Sequence, residues 1–292
     1  MTSLSEAPAV FRSSARRPGP FGLVVEALRD LTSRRLLIRY LVRADMKRKG
    51  ADTLLGNVWW ILDPLLQMVI YAILVSVIFR RSVPDYPLFI FAAILPWKWF
   101  SSSISDGTMS VTSQERLIKQ LQFPKIVLPS AVAMSEVVNF AFGLIPLLGL
   151  LIIFYSDRLT IYLVFIPAIA AVQFVFTLAC TIGVAATNVF FRDVGNVSRH
   201  LLRLWFYLSP GLYSLSALEG SNLPHAVKVL LEINPFAILF EAYRAVIYGT
   251  ADSPPTMPDW TMLAGLLVVS VGLLGLAMIY FKRVEPSFAK VL

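Results

Sequence analysis

The 292-residue chain is 57% hydrophobic and 15% charged, carries a formal net charge of +8, and has a mean hydropathy of +0.70. Soluble globular chains hold about a quarter charged residues, so this one lacks the polar surface to stay in water, and lipid must solvate much of its exterior. A single cysteine, Cys180, and two isolated histidines, His200 and His225, exclude a disulfide framework and offer no ligand-spaced set for a metal.

In chain order, residues 1–22 are polar and rich in Pro and Arg, which predicts a disordered cytoplasmic tail. A secretory signal needs an apolar stretch close behind its first basic residues, so the chain is expected to insert through its first span and stay whole. Residues 23–50 place Val24, Leu28, Leu31, Ile38 and Leu41 at roughly helical spacing among many basic residues. That pattern predicts a basic amphipathic helix lying at the membrane interface, with a positively charged flank of the first span as the plainer alternative.

A bilayer core takes about 20 apolar residues per helix. Runs of that kind lie near 57–79, 87–109, 128–155, 161–190, 197–218 and 259–281, predicting an all-α integral membrane domain over 51–292 with six transmembrane helices. The fifth run carries Arg199 and Arg203, so its apolar part is short. With both termini inside, 20 of the 26 Lys and Arg fall on the cytoplasmic side, the asymmetry the positive-inside rule expects. The segment 223–248 is apolar but interrupted. Asn234 and Pro235 there suit the N-cap and first residue of a new short helix, so two half-helices dipping back into the outer leaflet fit better than a full span.

Ionisable groups inside lipid cost about 2.5–3.5 kcal/mol each, so they face a bundle interior or a watery path. In the first span Trp60, Asp63, Gln67 and Tyr71 share one face at three- or four-residue steps. The second carries Lys98 between Trp97 and Trp99 and ends near Asp106; the third holds Glu136 and Asn139 one turn apart; the fourth repeats Gln173, Thr177, Thr181 and Asn188. These residues either hold helices together through polar contacts or line a channel. The aromatic residues divide likewise between interfacial anchors and a face on which sugar rings stack.

No Ser-His-Asp set, metal-ligand cluster or acidic loop motif emerges, and there is no G-x-x-x-x-G-K-[ST] phosphate loop. If ATP powers transport, another polypeptide must bind it with its Mg. Between spans two and three, Thr112 followed by Glu115 reads as a capping box starting a short helix that stops near Phe123-Pro124.

Six landmarks in order carry a family resemblance: LLIRYLVRADMKRKGADTLLGNVWWILDPLL, YPLFIFAAILPWKWFSSSISDGT, ERLIKQLQFPKIVLP, NVFFRDVGNV, LWFYLSPGLYSL and NPFAILFEAYRAVIYG. Over about residues 36–250 the chain resembles the ABC-2 type permeases that export polysaccharides and polyol phosphates, including the O-antigen and teichoic-acid exporters. The resemblance implies a homodimer of six-span subunits in the bacterial cytoplasmic membrane, joined to two ATPase subunits, with the channel between the two permeases. It implies that residues 23–49 are the interface helix and that 113–123, with Glu115, Arg116, Lys119 and Gln120, form the coupling helix seated in the ATPase. Residues 223–248, with Asn234, Pro235, Glu241 and Arg244, would be the outer gate. Two positions depart from the pattern, Lys98 where a neutral residue is expected and Asp63 where Asn commonly precedes the Pro.

On this reading the chain is no enzyme. It is the permease of an exporter that takes a lipid-linked glycan outward. The lipid's pyrophosphate would first meet Arg39, Arg43, Lys47 and Arg48. The glycan would then pass Trp60, Asp63, Gln67, Tyr71, Trp97, Lys98 and Trp99. Membrane lipids are expected as partners and nucleic acid is not. The alternatives are an ABC-2 permease for a drug or small lipid, and a membrane-embedded transferase acting on lipid-linked sugars.

Overall fold

A computed structural model describes residues 18–51, 53–78, 84–214, 231, 233–250 and 253–292, apart from the side chains of 57, 77 and 78. Among the described residues all regular structure is helical. The principal helices are α1 (Pro20–Ser33), α2 (Arg35–Gly50), α3 (Trp59–Ile73), α4 (Tyr86–Met109), α5 (Glu115–Gln120), α6 (Val127–Phe154), α7 (Ile166–Phe190), α8 (Val194–Leu208), α9 (Pro235–Ile247), α10 (Trp260–Val284) and α11 (Phe288–Val291).

Among the described residues, five helical stretches are long and apolar enough to cross a membrane: Trp59–Ser76, Tyr86–Met109, Val127–Phe154, Ile161–Phe190 and Trp260–Val291. They match the first, second, third, fourth and sixth expected spans. The fifth differs. Its helix, α8, runs for 15 residues and ends where Ser209 turns extended (φ −90, ψ 149) ahead of Pro210. Proline disfavours the helical region for the residue before it, which stops the helix there. Residues 215–218 of that expected span lie outside the described residues.

The amphipathic helix expected over 23–50 starts earlier, at Pro20, and is two helices. They are broken at Arg34, whose backbone leaves the α region (φ −100, ψ 22). Residues 1–17 of the expected tail, His225 and residues 223–230 and 232 of the expected gate lie outside the described residues.

α4 is the central helix. Its N-terminal half is apolar all round, the mark of a helix enclosed on every side, and Leu88, Ile90, Phe91, Ala92 and Ala93 are fully buried. It packs on α3, α6, α7, α8 and α9. Gly107 lets α7 approach closely, since a Cβ there would lie 2.3 Å from Thr181 Cγ2. α10 packs along α7, α2 lies against α6, and α1 against α10. α1 and α2 therefore lie against two different spans, α10 and α6, while α9 packs on the N-terminal half of α4.

Candidate functional site

At the end of the bundle where α2 arrives, Lys49 closes the helix with its Nζ among carboxylates. It bonds Glu136 on α6 and Asp106 on α4, the latter at 2.8 Å, and lies 3.5 Å from Asp45. Glu136 is buried, and its other oxygen accepts from Asn139 Nδ2 at 3.0 Å. Burial opposes the charge on Lys49, but Glu136 and Asp106 more than offset it and raise its pKa above the ordinary lysine value. The ammonium is therefore charged throughout the physiological range.

The four basic residues expected to meet a pyrophosphate split into two groups. Arg39, Arg43 and Lys47 are exposed at four-residue steps along one face of α2. Arg48 is exposed as well but is paired with Asp45 at 2.7 Å. Arg48 and Lys49 both line a cavity of about 560 Å³ with Ser105, Ser110, Ser113 and Gln114. Sequence reasoning assigned no role to Lys49. The available signal was charge arithmetic: Asp63, Asp106 and Glu136 sit in or at the ends of spans with Lys98 as their one intramembrane cation, and the end of α2 supplies the nearest other.

A second cavity, of about 320 Å³, lies between α3, α4 and α6 and is lined by Trp59, Trp60, Asp63, Lys98, Trp99 and Asn139 among others. Lys98 Nζ donates to Asp63 Oδ2. The two departures from the family pattern are thus each other's partner, one on α4 and one on α3. Trp60 packs on Phe142 with centroids 5.2 Å apart. Trp99 is buried against Phe140, and its Nε1 finds no acceptor among the described residues. Gln67 and Tyr71, further along α3, are half-buried, and Tyr71 packs on Phe206 of α8.

Trp97 is elsewhere. It is buried in an aromatic cluster with Phe236 of α9 (4.8 Å), Phe206 of α8 (5.3 Å) and Phe100 (5.8 Å). Trp97 was expected on the glycan's path beside Lys98, but neighbouring helical residues point about 100° apart. Trp97 packs α4 against α8 and α9 rather than lining either cavity.

At the opposite end, Asn234 caps α9 as its sequence predicts. Its Oδ1 accepts from Phe236 N at 3.0 Å and from Trp205 Nε1 at 2.9 Å, and its Nδ2 donates to Ser209 Oγ at 2.8 Å. Pro235 takes the first helical position, where its missing N–H costs nothing. Arg244 is buried beneath α9. It donates to the carbonyls of Pro210 and Gly211 at 2.6 Å and of Phe89 and Tyr213 at 3.4 Å, and to Glu241 Oε1 at 3.4 Å. Its guanidinium lies 3.6 Å from the Phe89 ring centroid. Arg158 sits nearby in a similar nest, donating to Tyr248, Thr250 and Ser253 carbonyls and to Asp85.

α5 stands at the α2 end. The expected capping box does not form. Thr112 Oγ1 instead donates to Met109 O at 3.3 Å within a 3₁₀ turn (Thr112–Gln114), and the residue before α5, Gln114, makes no side-chain cap. The preceding span continues almost without a break, leaving no extended residue for Thr112 to cap from. Glu115 pairs with Lys119 at 2.7 Å, and that contact lowers the pKa of the Glu115 carboxyl. Lys119 also donates to Leu292 O at 2.8 Å, and Ile118 is buried beside Phe288 of α11. Arg116 and Gln120 are exposed.

Three comparisons with known proteins bear on this arrangement. The sequence pattern of the family described as ABC-2 type transporter matches residues 37–248. The chain is 34% identical over 267 residues to the O-antigen export system permease protein RfbA of Myxococcus xanthus, covering 91% of this chain and 99% of that protein. It is 26% identical over 256 residues to a Klebsiella pneumoniae protein of the same name, covering 88% and 95%.

Proposed function

The chain belongs to the ABC-2 type transporter family and is a multi-pass membrane protein, and from that premise we propose that it is the permease subunit of an ATP-driven exporter of a lipid-linked polysaccharide. The cargo is of the O-antigen, galactan or teichoic-acid type, carried from the cytoplasmic leaflet outward. The observation that carries this reading is the likeness to an O-antigen export permease across 99% of that protein's length.

In this reading two copies of the chain join two copies of an ABC ATPase, which holds the ATP and Mg. The subunit lies in the bacterial cytoplasmic membrane with both termini inside, in keeping with the distribution of its Lys and Arg. α5, with Glu115, Arg116, Lys119 and Gln120, meets the ATPase. The exposed stripe Arg39–Arg43–Lys47, with Arg48 beyond it, receives the lipid's diphosphate. The cavity holding Trp60, Asp63, Lys98 and Trp99 belongs to the glycan's path, which continues past Gln67 and Tyr71. α9, with Asn234, Pro235, Glu241 and Arg244, forms part of the outer gate.

A strain lacking this chain tests the cargo. Lipid-linked polymer accumulating in the cytoplasmic leaflet, and disappearing on complementation, is the expected result. No accumulation would sink the glycan reading and point to a drug or small-lipid exporter. Replacing both Arg39 and Arg43 by Ala is expected to cut export about tenfold or more while the complex still assembles.

A further inference from the structure

The two cavities meet at Lys49, the one residue among those described that lines both. The larger has the composition of an anion site: the Arg48 guanidinium, the Lys49 ammonium, hydroxyls of Ser105, Ser110 and Ser113, and the Gln114 amide. Its cations are nevertheless engaged. Arg48 is held by Asp45, and Lys49 by Asp106 and Glu136 with Asp45 close by. Carboxylates outnumber cations in this cluster, three to two. An anion in the larger cavity therefore gains little until it displaces a carboxylate from one of them.

Lys49 is also the tie that fastens α2 to α4 and α6, because Asp106 and Glu136 stand on different helices. On the wall of the larger cavity, Ser110, Ser113 and Gln114 belong to the turn that runs into α5. One site thus touches the interface helix, two spans and the approach to the coupling helix.

We infer that Lys49 is an exchangeable cation: Asp106 and Glu136 hold it in the arrangement described here, and a phosphate or diphosphate ester in the larger cavity takes it over from them. The exchange unties α2 from α4 and α6 and opens the junction between the cavities. It also places the anion against the turn leading to α5, so that arrival of the ligand is felt at the helix that meets the ATPase. The ligand's identity rests on the exporter reading above; its binding chemistry does not.

The test uses the purified permease–ATPase complex in nanodiscs, with inorganic pyrophosphate and farnesyl diphosphate as probes. Removing the competing carboxylates has an unusual expected sign. Asp106→Asn with Glu136→Gln is expected to bind diphosphate about tenfold more tightly, the gain that follows if the tied state occupies about nine molecules in ten. Lys49→Gln is expected to bind at least about tenfold more weakly. The triple variant Lys49→Gln, Asp106→Asn, Glu136→Gln keeps a neutral, hydrogen-bonding cluster and is expected to stay weak although its structural tie is restored. Unchanged affinity in the double variant, or wild-type affinity in the triple variant, overturns the inference. Tight binding of pyrophosphate alone means the diphosphate is recognised by itself. Binding confined to farnesyl diphosphate means it is recognised as a lipid headgroup, and binding of neither probe overturns the inference. A complex that exports lipid-linked glycan without binding diphosphate through Lys49 sinks this inference and leaves the exporter reading intact. The expected binding pattern in a chain whose loss strands no glycan does the reverse.

Discussion

The two ends of the bundle use cations in opposite ways. At the α9 end, Arg244 and Arg158 are wrapped by backbone carbonyls: among the described residues four for Arg244 and at least three for Arg158, with a carboxylate oxygen bonded to each as well. At the α2 end, Lys49 and Lys282 are each surrounded by three carboxylates, Lys282 by Glu26, Asp30 and Glu285 at 2.6–3.0 Å. A planar guanidinium with five fixed donors suits several fixed carbonyls at once, while an ammonium is a compact charge that can be passed between partners. Backbone carbonyls belong to helix ends and turns and move only if the chain does. Side-chain carboxylates can turn away about their χ bonds without moving the chain. The first arrangement fixes a shape; the second stores a choice.

The sharpest way to break that comparison is a charge-conserving change at the fixed end. Arg244→Lys keeps the charge but offers only three donors, all from one nitrogen, to four carbonyls that the guanidinium meets from three nitrogens, leaving at least one buried carbonyl unmatched. At the upper end of the roughly 1–3 kcal/mol that a buried group without a partner costs, the loss is about 3 kcal/mol. The complex is expected to fall apart on size-exclusion chromatography in detergent. An assembled complex of unchanged thermal stability would mean the carbonyl nest is incidental.

A smaller effect at the same end is expected from Asn234→Ala. It removes the cap of α9, worth about 1 kcal/mol, and leaves the Trp205 indole N–H without its acceptor at about 1 kcal/mol more. A lowered midpoint in a thermal-shift assay, with the chain still assembled, checks it. Loss comparable to Arg244→Lys would show that α9 is held by its cap rather than by the guanidinium below it.

The same contrast explains what the sequence made legible. Features set by local backbone chemistry were readable: five of the six apolar runs became helices close to their expected bounds, and Asn234-Pro235 announced the start of α9. Where local rules misled, a longer-range arrangement had won. The Thr112–Glu115 pattern is a capping box only if Thr112 stands in extended backbone ahead of the helix, and here it belongs to a 3₁₀ turn between the span and α5. Trp97 and Trp99 looked alike in sequence, but one faces α8 and α9 and the other α6. For Asp63, Asp106 and Glu136 the sequence carried charge arithmetic but no pairing. Their need for a cation was clear, yet which lysine answers depends on how α2 returns to the bundle, a tertiary fact with no local signature.

The smallest change in stability is expected at the exchangeable end, in the hub that is not a site of binding. Lys282 ties α1 to the end of α10, and Glu285 in that hub also accepts from the Lys125 backbone N–H at 2.5 Å, where the chain leaves α5 for α6. Lys282→Arg keeps a cation among the same three carboxylates and is expected to leave both thermal stability and the protection of α1 unchanged. Lys282→Gln withdraws it, and the neighbouring carboxylates, part of them reached by solvent, then repel one another. The expected result is local: α1 loosens from α10, seen as faster amide exchange over Pro20–Ser33, while the thermal midpoint moves by only a few degrees. The contrast with Arg244→Lys is the point of the measurement. If Lys282→Gln unfolds the whole chain, the lysine hubs are as structural as the arginine nests. If it frees only α1, the α2 end is built from attachments that come undone one at a time.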